Sequence, residues 1–236
     1  MPFVPVLHAE WIKIRTLRSL LGCLAAVLVV TVAFSAVAAA EPDRSDPLFS
    51  VFFGVSLGQV AAVAFGALAV AGEYRGGALR LTLAAVPDRT RWFAAKAVAV
   101  ALPVLAVGLL TGLVTLAVGR ATVGESGPGW AEGLRGAVGC ALYLTLMALF
   151  AAGLAAVLRS GVGTLGLLIP FLLIVSFVVG DLDSGAADHL PDRAGQLALH
   201  STSAGPLGPW SGLAVTALWT AAALGAGAWC VRRRDA

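Results

Sequence analysis

The feature that most constrains this chain is a series of apolar runs that are too long for a soluble core. The six runs cover residues 20–40, 49–71, 92–119, 136–158, 162–180 and 210–231. A helix needs about 20 apolar residues to cross a bilayer. Only 12% of the residues are charged, about half the usual share in soluble domains. We therefore predict an all-α polytopic membrane protein, with residues 1–236 forming a single transmembrane domain of six transmembrane helices.

The segment before the first run, residues 1–19, has the pattern of an amphipathic helix. Leu7, Trp11 and Ile14 recur at helical spacing. Charged residues flank them, namely Glu10, Lys13, Arg15 and Arg18. This pattern predicts an N-terminal interfacial helix lying on the lipid bilayer. The first run ends in Ala38-Ala39-Ala40, as a signal peptide can. It is longer than the usual signal-peptide core, so we predict a retained transmembrane helix.

Basic residues predict the orientation of the spans. Twelve of the sixteen Lys and Arg fall on one side of a six-span arrangement. Three lie before the first span, five in residues 72–96, one at Arg159 and three at Arg232–Arg234. By the positive-inside rule this side is cytoplasmic. We predict a multi-pass protein of the cytoplasmic (plasma) membrane with both termini in the cytoplasm. Residues 181–209 become an extracellular segment in which short helices fit before the sixth span.

The loop between the second and third spans, residues 72–91, is the most charged segment between two apolar runs. A short helix is expected after Gly76-Gly77 and should end near Pro87. Such a helix would offer apolar side chains to a groove in a cytoplasmic partner, with basic side chains at the rim. The apolar candidates are Leu79, Leu81 and Leu83, and the basic ones are Arg75, Arg80 and Arg89.

The predicted spans contain almost no ionisable residues, which argues against proton relays, ion-coupled carriers and intramembrane enzymes. Gln59 is the most polar residue at depth, and it would either bond across helices or line a route. Gly54 and Gly58 form a G-x-x-x-G pattern that we assign to packing within the monomer. Residues 161–166 match G-x-G-x-x-G, but a membrane span lies on each side, so we do not assign a dinucleotide site.

We predict no catalytic group, bound cofactor, metal site or nucleic-acid partner for this chain. No Walker A pattern is present, so the chain cannot hold a nucleoside triphosphate through that motif. The predicted outer segment contains acidic and histidine residues without a diagnostic metal-ligand spacing. These residues are Asp181, Asp183, Asp188, His189, Asp192 and His200. Cys23, Cys140 and Cys230 lie in apolar runs and are interpreted as packing residues.

Taken together, these residues resemble the membrane subunits of type 2 ABC transporters, the exporter-like permeases of bacteria and particularly of actinobacteria. The lead helix with Glu10, Trp11 and Lys13 is similar to the family's interfacial helix. Glu73-Tyr74-Arg75-Gly76-Gly77 and the residues up to Lys96 are similar to the loop that carries its coupling helix. Many relatives have Gly-Thr where this chain has Gly77-Ala78.

The resemblance implies a mechanism in which two permease subunits, identical or sibling, stand above two ABC ATPase subunits. The ATPases hold ATP and Mg²⁺, and their closure drives the coupling helices. Glu73 lies at the predicted membrane boundary, and we expect it to pair with Arg15 or Arg18 and so link the loop to the gate. The pairing is inferred from charge and depth alone.

The predicted function is therefore that of the permease subunit of an ATP-driven exporter. Apolar spans favour an amphipathic or lipid-like substrate, such as a drug, peptide or lipid. The alternative is a membrane scaffold or regulatory protein that transports nothing and docks a cytoplasmic partner through the 72–91 loop.

Overall fold

The computed structural model describes residues 3–41, 46–124, 127–175, 187–202 and 206–233. Within these ranges the chain is helical and contains no strand. The α-helices are α1 (Phe3–Thr16), α2 (Arg18–Ala40), α3 (Pro47–Phe52), α4 (Val55–Ala71), α5 (Ala78–Ala85), α6 (Arg89–Val123), α7 (Trp130–Leu158), α8 (Gly161–Pro170), α9 (Pro191–Gln196) and α10 (Pro209–Arg233). Single 3₁₀ turns cover Gly72–Tyr74, Ala187–His189 and Leu197–Leu199, and a π-helical turn, Phe171–Val175, extends α8.

Five of the described helices are long and apolar enough to cross a membrane. They are α2, α4 with its 3₁₀ extension, α6, α7 and α10. The fold is therefore that of an all-α membrane protein with several spans. The predicted fifth span starts as α8 and is described only as far as Val175. Its last residues, 176–180, lie outside the described ranges, so the prediction of six spans stays a prediction.

The predicted second span, residues 49–71, differs from the observed structure because it is divided into α3 and α4. The break lies at Phe53 and Gly54. Here α2 comes so close that a Cβ atom on Gly54 would lie 2.0 Å from the Thr31 carbonyl oxygen. The Gly54 amide donates instead to Ser35 Oγ at 3.0 Å. Sequence periodicity carries no information about this contact, since it is made by a different helix.

The G-x-x-x-G pattern packs inside the monomer, as predicted. Like Gly54, Gly58 faces α2, and a Cβ atom on Gly58 would lie 1.9 Å from Thr31 Oγ1. Both glycines are therefore used for the close approach of α2 and α4 within one chain.

Helix α7 forms the centre of the bundle and packs against α4, α6 and α10. Small residues allow its backbone to come close to each of them. A Cβ atom on Gly66 of α4 would lie 1.9 Å from the Ala148 carbonyl oxygen. On Gly153 it would lie 2.6 Å from the backbone of Ala223 in α10. Close backbone approach between helices through small residues is a common way to pack spans, because dispersion contacts have to replace the hydrophobic effect in lipid.

The ends of α6 and α7 that join each other extend past the predicted spans. Arg120 belongs to α6, and its guanidinium lies 4.2 Å from the ring centroid of Trp130 in α7. It also donates to the Pro128 carbonyl oxygen at 2.8 Å. These contacts hold the charged helix end together and allow the helix to continue beyond its apolar part.

Opposite the α5 end of the bundle, Asp46 connects the start of α3 to the segment before α10. One carboxylate oxygen of Asp46 accepts from the Phe49 amide at 3.0 Å and thereby caps α3. The same carboxylate accepts from the Ser201 amide at 3.1 Å and lies 3.0 Å from His200 Nδ1. We call Asp46, His200 and Ser201 the far-end clasp.

Candidate docking loop and buried charge cluster

The 72–91 loop contains a short helix at the predicted place. Gly76 and Gly77 have φ values of 60° and 75°, which L-residues with a side chain rarely adopt. Helix α5 follows directly at Ala78 and ends at Ala85, before Pro87. The two glycines turn the chain after the 3₁₀ extension of α4, so that α5 forms a separate element between α4 and α6.

The two faces of α5 differ strongly in exposure. Leu79 is buried, with 5% of its surface exposed, whereas Leu81 is 76% exposed. Leu83, one turn after Leu79, is half-buried and packs against the core. The expectation that all three leucines face a partner is therefore wrong. Residues four apart share a helix face, so Leu79 and Leu83 anchor α5 and Leu81 points away from the protein.

Only some of the basic residues predicted at the edge of the docking surface are exposed. Arg75, Arg80 and Pro87 are exposed, and Arg80 directly precedes Leu81 in the chain. Arg89 is half-buried, and its Nη1 donates to the Val231 carbonyl oxygen of α10 at 3.0 Å. Arg89 thus holds the end of the loop against the last helix, while the side chains of Arg75 and Arg80 lie at the surface.

A group of three buried charged residues and one half-buried lysine lies behind the loop. Glu10 of α1, Glu73 of the 3₁₀ turn and Lys96 of α6 are 2%, 5% and 3% exposed. Lys13 of α1 completes the group, which we call the charge cluster. It connects three segments that are far apart in the sequence.

The charge cluster is held together by lysine–glutamate ion pairs. Lys96 Nζ bonds to Glu10 and lies 2.7 Å from Glu73 Oε1. Lys13 Nζ lies 2.9 Å from Glu10 Oε1 and 2.8 Å from Glu73 Oε1. Each lysine therefore bonds to both glutamates, and the four formal charges sum to zero. A buried ion costs much free energy unless it is paired in this way.

The expected partners of Glu73 were the wrong ones. Arg15 and Arg18 are exposed, and Glu73 binds Lys13 and Lys96 instead. Lys13 is on the α1 face that also carries Glu10 and Ile14, both buried, whereas Arg15 points away. The predicted link between the lead helix and the loop is present, but different side chains make it. Trp11 is half-buried beside them.

The sequence contained a signal for this cluster. The chain has sixteen basic residues, and its only lysines are Lys13 and Lys96. The lysine ammonium is compact, has three N–H donors and fits between two carboxylates in a tight site. The arginine guanidinium is a larger planar group with its donors in a rigid arrangement. Lysine occurs at these two positions and at no other, and this is the sequence feature that hints at a shared environment.

Burial and the two neighbouring carboxylates shift the pKa of Lys13 in opposite directions. Burial lowers the pKa of Lys13, but the hydrogen bond to Glu73 and the charge of Glu10 outweigh it and raise the pKa above the ordinary lysine value. Lys13 is therefore held in its charged form. The folded state keeps this stabilisation below the pKa of an unfolded lysine and loses it as the pH rises through the higher folded pKa.

Helix α5 is bonded to the charge cluster through a hydroxyl group. Thr82 Oγ1 lies 3.3 Å from Glu73 Oε2 and 3.0 Å from the Ala78 carbonyl oxygen. Because Glu73 also bonds to α1 and α6, a displacement of α5 acts on both helices through one carboxylate.

Gln59 is buried in the second turn of α4, and its side chain bonds across helices. Its Oε1 accepts from the Tyr143 hydroxyl of α7, and its Nε2 donates to the Ser56 carbonyl oxygen at 2.9 Å. Gln196 of α9 donates to Tyr143 Oη at 3.3 Å and accepts from Ser56 Oγ at 3.0 Å. The interhelical bond foreseen for Gln59 is thus present. Its partners could not be deduced from the sequence, since they come from α7 and α9.

Within the ranges described by the structure, no group of three or more His, Cys, Asp and Glu residues has the arrangement of a metal site. Asp181 and Asp183 of the predicted acidic segment lie outside those ranges. Cys140 and Cys230 are buried and Cys23 is half-buried, all as free thiols.

Comparison with known proteins does not assign the chain to a family. A scan against protein-family models found no matching family, and a search of curated proteins found no significant match.

Proposed function

We propose that this chain is the membrane-spanning permease subunit of an ATP-driven exporter, with ATP hydrolysis in a separate ABC ATPase subunit. The resemblance of the 72–96 segment to the coupling loop of type 2 ABC permeases is the starting point. The proposal includes a sixth span at residues 162–180 and a cytoplasmic location for α5 and both termini. It also includes a second permease subunit, identical or related, beside this one.

The observation that carries the proposal is the two-sided construction of α5. Leu79 and Leu83 fix the helix to the bundle, and Leu81 is 76% exposed next to the exposed Arg80. An exposed apolar side chain on a helix that is held from its other face can enter a groove in a partner protein.

The charge cluster supports a mechanical use of the same loop. Glu73 joins α5, through Thr82, to Lys13 of α1 and Lys96 of α6. Arg89 joins the end of the loop to α10. A push on α5 by an ATPase would therefore act on α1, α6 and α10 through these contacts. The pair between Lys96 and Glu73 is buried, and buried ion pairs are screened less than exposed ones.

The proposal is tested by the interaction between this chain and an ABC ATPase. The chain, tagged and expressed with an ABC ATPase from the same genome, is purified from membranes as wild type, Leu81→Asp and Leu81→Met. We expect the Asp variant to retain about a tenth of the ATPase or less, because a charge would enter an apolar groove. The Met variant is the matched control, since it keeps an apolar side chain of similar size, and it should retain the ATPase.

The fold of the variants is checked separately by the amount inserted in membranes and by the melting temperature. Leu81 is exposed, so both should match the wild type. If the Asp variant retains the ATPase as well as the Met variant does, α5 is not the docking element. If mass analysis of the purified complex shows a stable partner without an ATP-binding motif, the scaffold alternative replaces the exporter.

A further inference from the structure

A cavity of about 570 Å³ lies in the half of the bundle opposite the docking loop. This volume lies in the range of sites for small organic molecules, roughly 300–1,000 Å³. Its described lining comes from α3, α4, the end of α8 and the segment that contains α9. The cavity is separate from the charge cluster and from α5, and no role has been assigned to it so far.

The walls of the cavity are largely apolar and aromatic. Phe49 and Phe53 lie on one side with their rings 5.9 Å apart in an edge-to-face arrangement. Leu57 lies beside them, and Leu172 and Leu173 form another part of the wall. A ligand that fits here has a hydrophobic body, and aromatic faces and edges favour one with rings.

The polar part of the lining is more acidic than basic. Asp188, Asp192 and Arg193 line the cavity, together with His200. Asp192 is buried, with 3% of its surface exposed, whereas Arg193 is half-buried. A charge in a buried position is less screened by water than a more exposed one. His200 directs Nδ1 toward Asp46, 3.0 Å away in the far-end clasp.

The neutral polar groups of the lining bond mainly to one another. Gln59 and Gln196 both bond to the Tyr143 hydroxyl, and Ser56 bonds to Gln196. These bonds fix the inner end of the cavity, and the charged side chains of the lining are the strongest means of ligand selection.

We propose that this cavity binds an amphipathic organic cation, with the apolar body against Phe49, Phe53 and Leu173 and the positive charge near Asp188 and Asp192. Binding is a property of this chain alone. A role for the cavity as the cargo site rests on the proposed exporter function.

The test uses two probes of nearly the same shape and opposite charge, tetraphenylphosphonium and tetraphenylborate. Binding of each to the purified full chain in nanodiscs of zwitterionic lipid is measured against empty nanodiscs, without ATPase or ATP. We expect saturable binding of the cation and no saturable binding of the anion. Asp188→Asn and Asp192→Asn should each weaken cation binding about tenfold, as expected for loss of a charged partner.

Two further variants separate this effect from misfolding. Leu173→Trp fills the cavity without changing its charge and should abolish cation binding. Asp88→Asn changes a carboxylate at the start of α6 in the docking-loop region, and it should bind the cation like the wild type. Saturable anion binding of equal strength would overturn the proposal. Unchanged cation binding in both Asp188→Asn and Leu173→Trp would also overturn it. Because no ATPase is present, these results do not depend on the Leu81 experiment, and either proposal can fail while the other stands.

Discussion

Lys96 lies on α6, a helix that is long and apolar enough to cross a membrane, and it is 3% exposed. Its ammonium group bonds to Glu10 and Glu73, and it lies 5.9 Å from the ring centroid of Trp92. An ionisable side chain in a membrane helix is costly unless it is paired, and it usually marks a functional site. At the scale of single residues, the charge cluster is therefore the feature that most needs an explanation in terms of function.

The first prediction concerns the balance of charge in this cluster. Lys96→Met leaves two glutamates with one lysine, and we expect it to destabilise the fold by about 3–5 kcal/mol, as for other broken buried pairs. Lys96→Met combined with Glu73→Gln restores electrical neutrality and should recover part of that loss. Melting temperatures of the wild type, both single variants and the double variant in the same detergent give the coupling. If the losses of stability in Lys96→Met and Glu73→Gln simply add up in the double variant, Lys96 and Glu73 do not form a stabilising pair.

The second prediction concerns pH and the far-end clasp. Burial raises the pKa of Asp46, but hydrogen bonds from Phe49, Ser201 and His200 outweigh it and lower the pKa below the ordinary aspartate value. The stabilisation is therefore present above the unfolded pKa of about 3.9 and is lost as the pH falls through the lower folded pKa. The melting temperature of the wild type should fall toward that of Asp46→Asn as the solution is acidified. A gap between the two proteins that stays constant down to strongly acidic pH would show that the clasp adds no pH-dependent stability.

At the scale of helices, packing is set by small residues at the points of closest approach. Gly66 of α4 faces the backbone of Ala148 in α7, where α7 is buried on nearly all sides. Gly225 of α10 is exposed, and an added Cβ atom would meet no atom within 4 Å. The two glycines thus give a matched pair in which only the surroundings differ.

The third prediction uses this pair. Gly66→Ala places a methyl group where the Ala148 carbonyl oxygen lies, so α4 and α7 must separate, and we expect a loss of about 1–3 kcal/mol or more. Gly225→Ala should be neutral or slightly stabilising, because alanine favours a helix over glycine by about 0.8–1.0 kcal/mol in soluble hosts. Thermal unfolding of both variants in detergent measures the difference. Equal melting temperatures would mean that the described contact between α4 and α7 is wrong.

Helices of this chain could be predicted from the sequence because their apolar runs are long and their ends carry charges or glycine. The short helix α5 was predictable for a similar local reason, since Gly77 precedes it and Pro87 follows it. The break at Gly54 was not predictable, because its cause is the carbonyl oxygen of Thr31 on another helix. Helical periodicity places Leu81 on a different face from Leu79 and Leu83. The prediction that all three leucines face a partner did not take this into account.

The charge cluster, too, could be predicted from the sequence only in part. Glu73 could be singled out from its place at the end of an apolar run. Apart from the rarity of lysine in this chain, nothing in the sequence selects its partners among the sixteen basic residues, because Lys13 precedes it by 60 residues and Lys96 follows it by 23. Only the arrangement of α1 against α6 decides between Lys13 and its exposed neighbour Arg15.

At the scale of the whole molecule, α6 separates two ends with different chemistry. Its 35 residues correspond to a length of about 50 Å at 1.5 Å per residue, more than the thickness of a hydrocarbon core. The docking loop and the charge cluster lie at its start, and the Arg120–Trp130 contact lies at its end. The proposed ATPase and the proposed cation site would thus act at opposite ends of one bundle.

The fourth prediction concerns the orientation of these ends. Ala84 on α5 and Ala131 at the start of α7 are both exposed, and single cysteines there should react with a maleimide that does not cross membranes. In intact cells we expect labelling of Ala131→Cys only, and after permeabilisation labelling of both. The native thiols are buried or half-buried and give the background, which is measured in the unsubstituted chain. Labelling of Ala84→Cys in intact cells would reverse the proposed topology.

The charge cluster also has a consequence for biogenesis. During synthesis Glu10, Lys13 and Glu73 leave the ribosome before Lys96 does, so the two carboxylates share one ammonium group until the first turns of α6 have been made. In a nascent chain that ends before residue 96 these three side chains carry one uncompensated negative charge, and α1 should dock stably only after the start of α6 has joined them.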